Sequence, residues 1–330
     1  MASFKFNNVY IKDWYSIAST NETLGPIKKY NQVISDHYFG EKTFERAEMK
    51  MQSTVIDNLI KRNDLQKKVD LLIGGELSNQ LSLTNFTLSK YHIPFLGVYS
   101  ACASFNEALI IMSNFLESKK IKNGICLTSS HTEVAERQFR YPIEYGAPRL
   151  KRSTMTATGS VGVVLSHEGK IKITSATIGK SVNYGITDVN NMGAVMAPAA
   201  AQTLMEHLKN LKIEPNFYDL ILTGDLGRTG SKLFLEVLKH NNINLTNYQD
   251  AGSMLFKEEH FANSGSSGPV TLPLVVFNKI IQSKKYKKIL LLATGALHSP
   301  TLVNQHEEIP AISHALSLEV LCFIYIHFCL

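Results

Sequence analysis

The sequence is poor in the residues that staple small or metal-bound domains. It has four cysteines in 330 residues, at Cys102, Cys126, Cys322 and Cys329. That is too few for a disulfide framework, and no CxxC pair offers the start of a zinc site. No acidic loop of the EF-hand type is present either. No apolar run approaches the roughly 20 residues of a membrane-spanning helix. The amino-terminal MASFKFNNVYIKDWYS has no continuous apolar core of a signal peptide, so the chain is expected to be made and to fold in a cytoplasm. Basic residues exceed acidic ones, 34 to 28, for a net charge of +6. They are scattered, with only short clusters such as Lys284-Lys285 and Lys287-Lys288, so nucleic acid is not an expected partner. What is present is 44% apolar and 19% charged residues, the composition of a globular chain. At roughly 150 residues per domain, the length suggests two equal units.

The chain repeats itself. Val69–Leu77 (VDLLIGGEL) resembles Tyr218–Leu226 (YDLILTGDL). Each is a short apolar run ending in glycine and an acidic residue, which reads as a buried strand. Ser118-Lys119-Lys120 precedes Gly124–Ser130 (GICLTSS), and Ser283-Lys284-Lys285 precedes Lys288–Gly295 (KILLLATG). A helix-length apolar segment comes before each of these, and the two copies lie half the chain apart. The first half reads as strand 4–11, helix 43–63, strand 69–75, helix 82–91, strand 94–99, helix 103–117, strand 123–129 and strand 153–166. Met51, Val55 and Leu59, with Ile56 and Ile60 beside them, give the first helix an apolar stripe. The second half reads as strand 170–178, helix 198–210, strand 218–224, helix 229–240, a weak strand near 246–250, helix 268–282, strand 287–294 and a strand near 313–319. Alternating strands and helices predict an α/β fold of mostly parallel sheets, two of them related by a pseudo-two-fold axis. One segment has no counterpart in the other half. Residues 131–152 read as a long loop rich in arginine and aromatic residues, and a loop of that length in a compact domain is usually functional.

Cys102 lies where a strand ends and a helix begins. Unpaired N–H groups and the positive end of the helix dipole suit a thiolate nucleophile there. The bland alternative is a small buried residue, which is also the reading of Cys126 in mid-strand.

The Ser-Ala-Cys-Ala-Ser turn at 100–104, the duplicated halves and the glycine-rich return Thr156–Leu165 resemble the thiolase superfamily, ketoacyl synthases included. A closer resemblance is to the stage V sporulation protein AD family of spore-forming Firmicutes. It is carried by Thr128–His131, Ala135–Pro142, Glu144–Gly146, Lys172–Lys180, Asn191–Gly193, Met196–Ala201, Tyr218–Ile221, Thr223–Gly227 and Ala293–Leu297, and it runs from about Phe6 to Glu319. The resemblance implies a thiolase-like fold of two duplicated βαβαβαββ halves, residues 1–168 and 169–319, in a layered αβαβα arrangement. It implies non-enzymatic binding of dipicolinic acid (pyridine-2,6-dicarboxylate), free or as its calcium chelate, for uptake into the developing spore and release on germination. It also implies a homodimer, other stage V sporulation A membrane proteins as partners, and a peripheral place at the spore inner membrane after synthesis in the forespore. No cofactor and no metal site are expected.

The residues agree with binding better than with turnover. A condensing enzyme needs hydrogen-bond donors, usually His with His or Asn, beside the cysteine. In ketoacyl synthases one histidine follows the strand matching Tyr218–Thr223; here Asp225 stands there, and a carboxylate repels a developing enolate. Asn263 fits the second partner position, and Ser267 is the repeat equivalent of Cys102. The alternative, an active acyl-transfer enzyme using Cys102, thus lacks one partner. A dicarboxylate ligand needs arginine forks and an apolar enclosure. Arg137 and Arg140 are candidates, against a structural role pairing Glu133 or Glu136. His131 and His298 are candidates at equivalent strand ends, against the alternative of a satisfied buried histidine. Asn191 and Met192 resemble thiolase segments lining the acyl tunnel. Residues 320–330 (VLCFIYIHFCL) lie beyond the resemblance. Eleven residues cannot span a bilayer as a helix; the readings open are an extension of the last strand, a shallow membrane insertion, and, favoured, a sequence artefact or a poorly ordered end.

Overall fold

The computed structural model describes residues 1–257 and 263–321. The first half contributes β1 (Ala2–Lys5), β2 (Tyr10–Ser19), β3 (Gln32–Ile34), β4 (Leu71–Gly75), β5 (Phe95–Gly97), β6 (Asn123–Ser130), β7 (Met155–Thr156) and β8 (Gly159–Ser166). The second contributes β9 (Ile171–Ile178), β10 (Leu220–Thr223), β11 (Tyr248–Asp250), β12 (Ser266–Ser267), β13 (Lys288–Ala296) and β14 (Ala311–Val320). The main sheet runs β11-β10-β13-β14-β9-β2-β8-β6-β4-β5. The pairing pattern repeats about its middle. β4 is parallel to β5 and β6, as β10 is to β11 and β13; β6–β8–β2 is antiparallel, as is β13–β14–β9. The two expected sheets are one, because Tyr10 and Ile11 of β2 pair with Lys172 and Ile171 of β9.

The repeated Asp in VDLL and YDLI has one physical job, done twice. Asp70 Oδ2 accepts from the backbone N–H of Lys122 and Asn123, at 2.7 and 3.0 Å. Asp219 Oδ2 accepts from Lys287 and Lys288, at 2.7 and 2.8 Å. Each carboxylate thus pins the start of the neighbouring parallel strand and fixes its register.

The helix Ser104–Glu117 buries Phe105, Leu109, Met112 and Leu116 and packs against strands of both halves. Beside it lies Thr271–Val275, continued by a π turn, Val276–Ile280. Outside the first half of the sheet lies Phe44–Arg62, whose stripe Met51, Val55, Ile56 and Leu59 is fully buried. Outside the second half, Met192–Leu211 packs on β13, β14 and the helix Gly227–His240. The order is helix, sheet, helix, sheet, helix.

Three expectations need correcting. The strand placed at 4–11 is two strands, and β2 continues to Ser19. Its polar residues hid it: buried Asp13 is held by Arg62 and Asn63, and buried Ser16 by Asn31 and Asn278. The segment read as a loop carries a helix, Thr132–Phe139, and a turn, Ile143–Tyr145. The helix expected from 198 begins at Met192 and runs through Pro198. The tail from Cys322 onward, with Cys329, lies outside the described residues.

Candidate functional site

A cavity of about 50 Å³ opens where the two halves meet. Its floor is the turn Ala101–Ala103, between β5 and the central helix. Ala101 has a left-handed backbone, φ 50°, an uncommon conformation for a residue with a Cβ. The turn is held by Ser104, whose hydroxyl accepts from Ser100 N–H at 3.0 Å and donates to Ala101 O at 2.8 Å. β13 crosses it at Gly295, where any Cβ would lie 2.2 Å from Ser100 O; only glycine lets the strand pass. Cys102 points from this turn into the cavity.

Opposite Cys102 is Asp225, buried at the end of β10. Its carboxylate accepts from Thr294 Oγ1 of β13 at 2.6 Å and from Gly268 N–H at 3.3 Å. Gly268 has φ 104°, which suits glycine. Burial, and secondarily the nearby Asp250, raise the Asp225 carboxyl to about 7 despite hydrogen bonds from Cys102 and Thr294. Burial and then Asp225 push the Cys102 thiol well above its ordinary value. The cysteine is therefore a thiol donating to a carboxylate, contrary to the expectation that the helix start yields a thiolate. A nearby anion and desolvation outweigh the helix dipole.

The third wall comes from the segment without a repeat counterpart. Ala135 and Phe139 of the helix Thr132–Phe139 face the cavity, and Arg140 ends it. Arg140 Nη1 donates to Glu136 Oε1 at 2.8 Å and Nε to Val189 O at 3.4 Å. Among the described residues Nη2 has no hydrogen-bond partner. His298 lies across from it, with its ring 5.2 Å from that of Phe139. Burial, then Arg140, bring His298 down to about 4, so it is neutral near pH 7, and its Nδ1 has no hydrogen-bond partner among the described residues. Leu77, Met192, Met196 and Ala296 complete an apolar lining, with Thr156 and Ser267 brought together by the β7–β12 pairing.

Of the sequence-predicted site residues, Cys102, Arg140, Met192, Asp225 and His298 line this cavity. Four do not. Arg137 faces outward and pairs with Glu45, because the helix ends at Phe139 and Arg140 leaves helical geometry, so the two arginines do not share a side. His131 is fully buried behind the helix, with Nε2–H donating to His37 O at 2.7 Å and Nδ1 2.9 Å from Glu133. Asn191 is the residue before the helix Met192–Leu211 and does not reach the wall. Asn263 is spent on the backbone carbonyls of Arg149 and Leu150, both at 3.2 Å, so it does not stand beside Cys102 in the catalytic manner. Phe139, Met196 and Gly268 were not anticipated. Met196 follows Met192 by one helical turn, a signal the sequence did contain.

A sequence profile of the family described as stage V sporulation protein AD matches residues 2–319. Stage V sporulation protein AD of Bacillus subtilis (strain 168) is 36% identical over 318 residues, covering 94% of both chains. Among solved structures, a variant of Xanthomonas campestris OleA superimposes with TM-score 0.62 at 15% identity, covering 96% of this chain and 98% of that one. Another OleA variant, with bound lauric acid and lauroyl-CoA, gives 0.58 at 14% identity, covering 94% and 99%. OleA is thiolase-like, and at these identities the likeness concerns the fold. The fold is thus thiolase-like, and the chain belongs to the stage V sporulation protein AD family.

Proposed function

We propose that this sporulation protein binds dipicolinic acid without turning it over, for its uptake into the developing spore and its release on germination. The observation that carries the reading is Arg140. It is a guanidinium with a spare N–H edge at an apolar and aromatic cavity, the combination that suits a carboxylate on a flat ring. Asp225 and the raised Cys102 thiol argue against acyl transfer, because the sulfur is held as a thiol beside a carboxylate that would repel a developing anion. The cavity at about 50 Å³ holds only a few waters. A pyridine ring therefore enters as Phe139 and the unbranched Met192 and Met196 adjust. Among the described residues no cluster of His, Cys, Asp or Glu could hold a metal ion; calcium, in this proposal, arrives on the ligand. No described helix is long and apolar enough to cross a membrane; in this proposal the protein works at the membrane periphery, as a homodimer, with other stage V sporulation A membrane proteins.

Calorimetry with dipicolinate tests the reading, with pyridine-2-carboxylate as control. Binding is expected for the diacid and is expected to weaken at least about tenfold in Arg140→Lys, which keeps the charge and loses the fork. No heat at millimolar dipicolinate would end the proposal. The second reading, acyl transfer by Cys102, draws on the fold shared with an OleA structure holding lauroyl-CoA. Incubation with acyl-CoA followed by peptide mass spectrometry would support it by an adduct on Cys102.

A further inference from the structure

The charges around the cavity do not balance a dianion. Its one guanidinium facing inward, Arg140, is already paired with Glu136. Arg149 also leans on Glu136, at 3.7 Å, rather than on the cavity. Against Asp225 pack Cys102 from the floor turn, Thr294 from β13, Gly268 N–H from the loop after β12, and a second carboxylate, Asp250, which caps the helix Ala251–Leu255. His298 and Arg140 face the same space from the other side. A ligand with two carboxylates can give only one of them to Arg140. The other meets the Cys102–Asp225 wall, where a third buried negative charge would be strongly unfavourable.

We propose that dicarboxylate binding here takes up one proton from solvent, held by Asp225, whose carboxyl then donates to the ligand's second carboxylate. The inference rests on the dipicolinate reading above. The balance is simple: a dianionic ligand, an ionised Asp225 and one proton give a complex with a neutral Asp225. Asp225 is the favoured acceptor because burial already brings it to about 7, whereas His298 lies near 4; a neighbouring anion raises both, and Asp225 reaches protonation first. The hydrogen-bond inventory also fits. A protonated Asp225 keeps one oxygen for Thr294 and gains a donor that the ionised form lacks.

Two features follow. Affinity is insensitive to pH below the Asp225 range. Above it, affinity falls toward tenfold per pH unit, since each bound ligand needs a proton that becomes scarcer.

Calorimetry of the full chain with dipicolinate, at pH 6.0, 7.0, 8.0 and 8.5 in buffers of different ionisation heat, measures both affinity and protons taken up. The expected result is close to one proton per ligand at pH 8.5, fewer at pH 6.0, and weaker binding at the higher pH. Asp225→Asn is expected to bind with no proton uptake, with little pH dependence, and at least about tenfold tighter than the parent at pH 8.5. Measurable binding with unchanged affinity and no uptake across this range would overturn the inference while leaving the dipicolinate reading intact. Uptake that persists in Asp225→Asn would overturn the assignment to Asp225. Absence of heat at every pH would overturn both. The parent chain alone decides the first point, so the test does not depend on the variant's folding.

Discussion

At the scale of single residues, Cys102 shows how little a position says without its neighbours. The start of a helix favours an anion, yet desolvation and the carboxylate of Asp225 across the cavity both disfavour one on the sulfur. Cys102 is therefore expected to alkylate slowly at pH 8, more slowly than a free cysteine, with the rate climbing toward pH 10. Asp225→Asn removes the second of the two causes and is expected to speed the reaction. Iodoacetamide labelling, read peptide by peptide to separate Cys102 from the other cysteines, checks both. Rapid labelling of the parent at pH 7 would contradict the thiol assignment. The residues that carry this chemistry were largely visible in the sequence. Asp225 stood out because a histidine was missing from its place, and Arg140 because its segment had no repeat partner. His131 and Asn263 misled because strand ends and turns before helices are also where buried polar groups find backbone partners. Sequence order does not reveal which of the two a side chain does.

At the scale of elements, the helix Thr132–Phe139 is the part most poorly anticipated and the one that walls the site. Its eight residues include good helix formers, two glutamates, an arginine, a glutamine and an alanine, but two turns are too short to stand on their own. Tertiary ties hold it. Glu133 sits between two histidines, with His37 Nδ1 at 2.5 Å and His131 Nδ1 at 2.9 Å, and this joins the helix to the stretch after β3. Burial alone would raise the Glu133 carboxyl, but hydrogen bonds with His131 and His37 outweigh it and bring it down to about 2. His37 is raised, first by its hydrogen bond to Glu133. The signs define a window. Glu133 contributes stability above its unfolded value near 4.5, and this is lost as pH falls toward 2. His37 contributes below its unfolded value near 6.5, and this is lost as pH rises through its higher folded value. Glu133→Gln is thus expected to cost about 1.5–3 kcal/mol near pH 5.5, and less at pH 8.5. Urea unfolding at the two pH values measures it. An equal cost at both would show that the tie does not act through charge. By contrast, elements with strong patterns were legible. Phe44–Arg62 was, because its stripe is continuous. β4, β6, β10 and β13 were, because buried parallel strands are unbroken apolar runs.

At the scale of the whole molecule, the duplication read from two sequence matches is the organising fact of the sheet. The matched aspartates give it a test. Asp70→Ala and Asp219→Ala each free two backbone donors at equivalent places in the two halves. Each is expected to cost about 1–3 kcal/mol. Distant, independent sites add within about 0.5 kcal/mol, so the double variant is expected to show the sum. A single unfolding transition is expected throughout, because the helix Ser104–Glu117 packs on both halves at once. Thermal unfolding followed by two probes checks this. Separate transitions would mean that the halves are domains in their own right.

The same operation that exchanges the halves exchanges Cys102 with Ser267, and both line the one cavity. A feature away from such an axis is made twice when a gene segment is doubled; a feature on it is made once. Most of this chain therefore comes in pairs, and the cavity does not. Each half supplies one flank, and the two flanks differ, a sulfur on one side and a hydroxyl on the other. A doubled half-site with unlike faces can tell one end of a ligand from the other, which a strictly symmetric pair of identical subunits cannot do at its own axis.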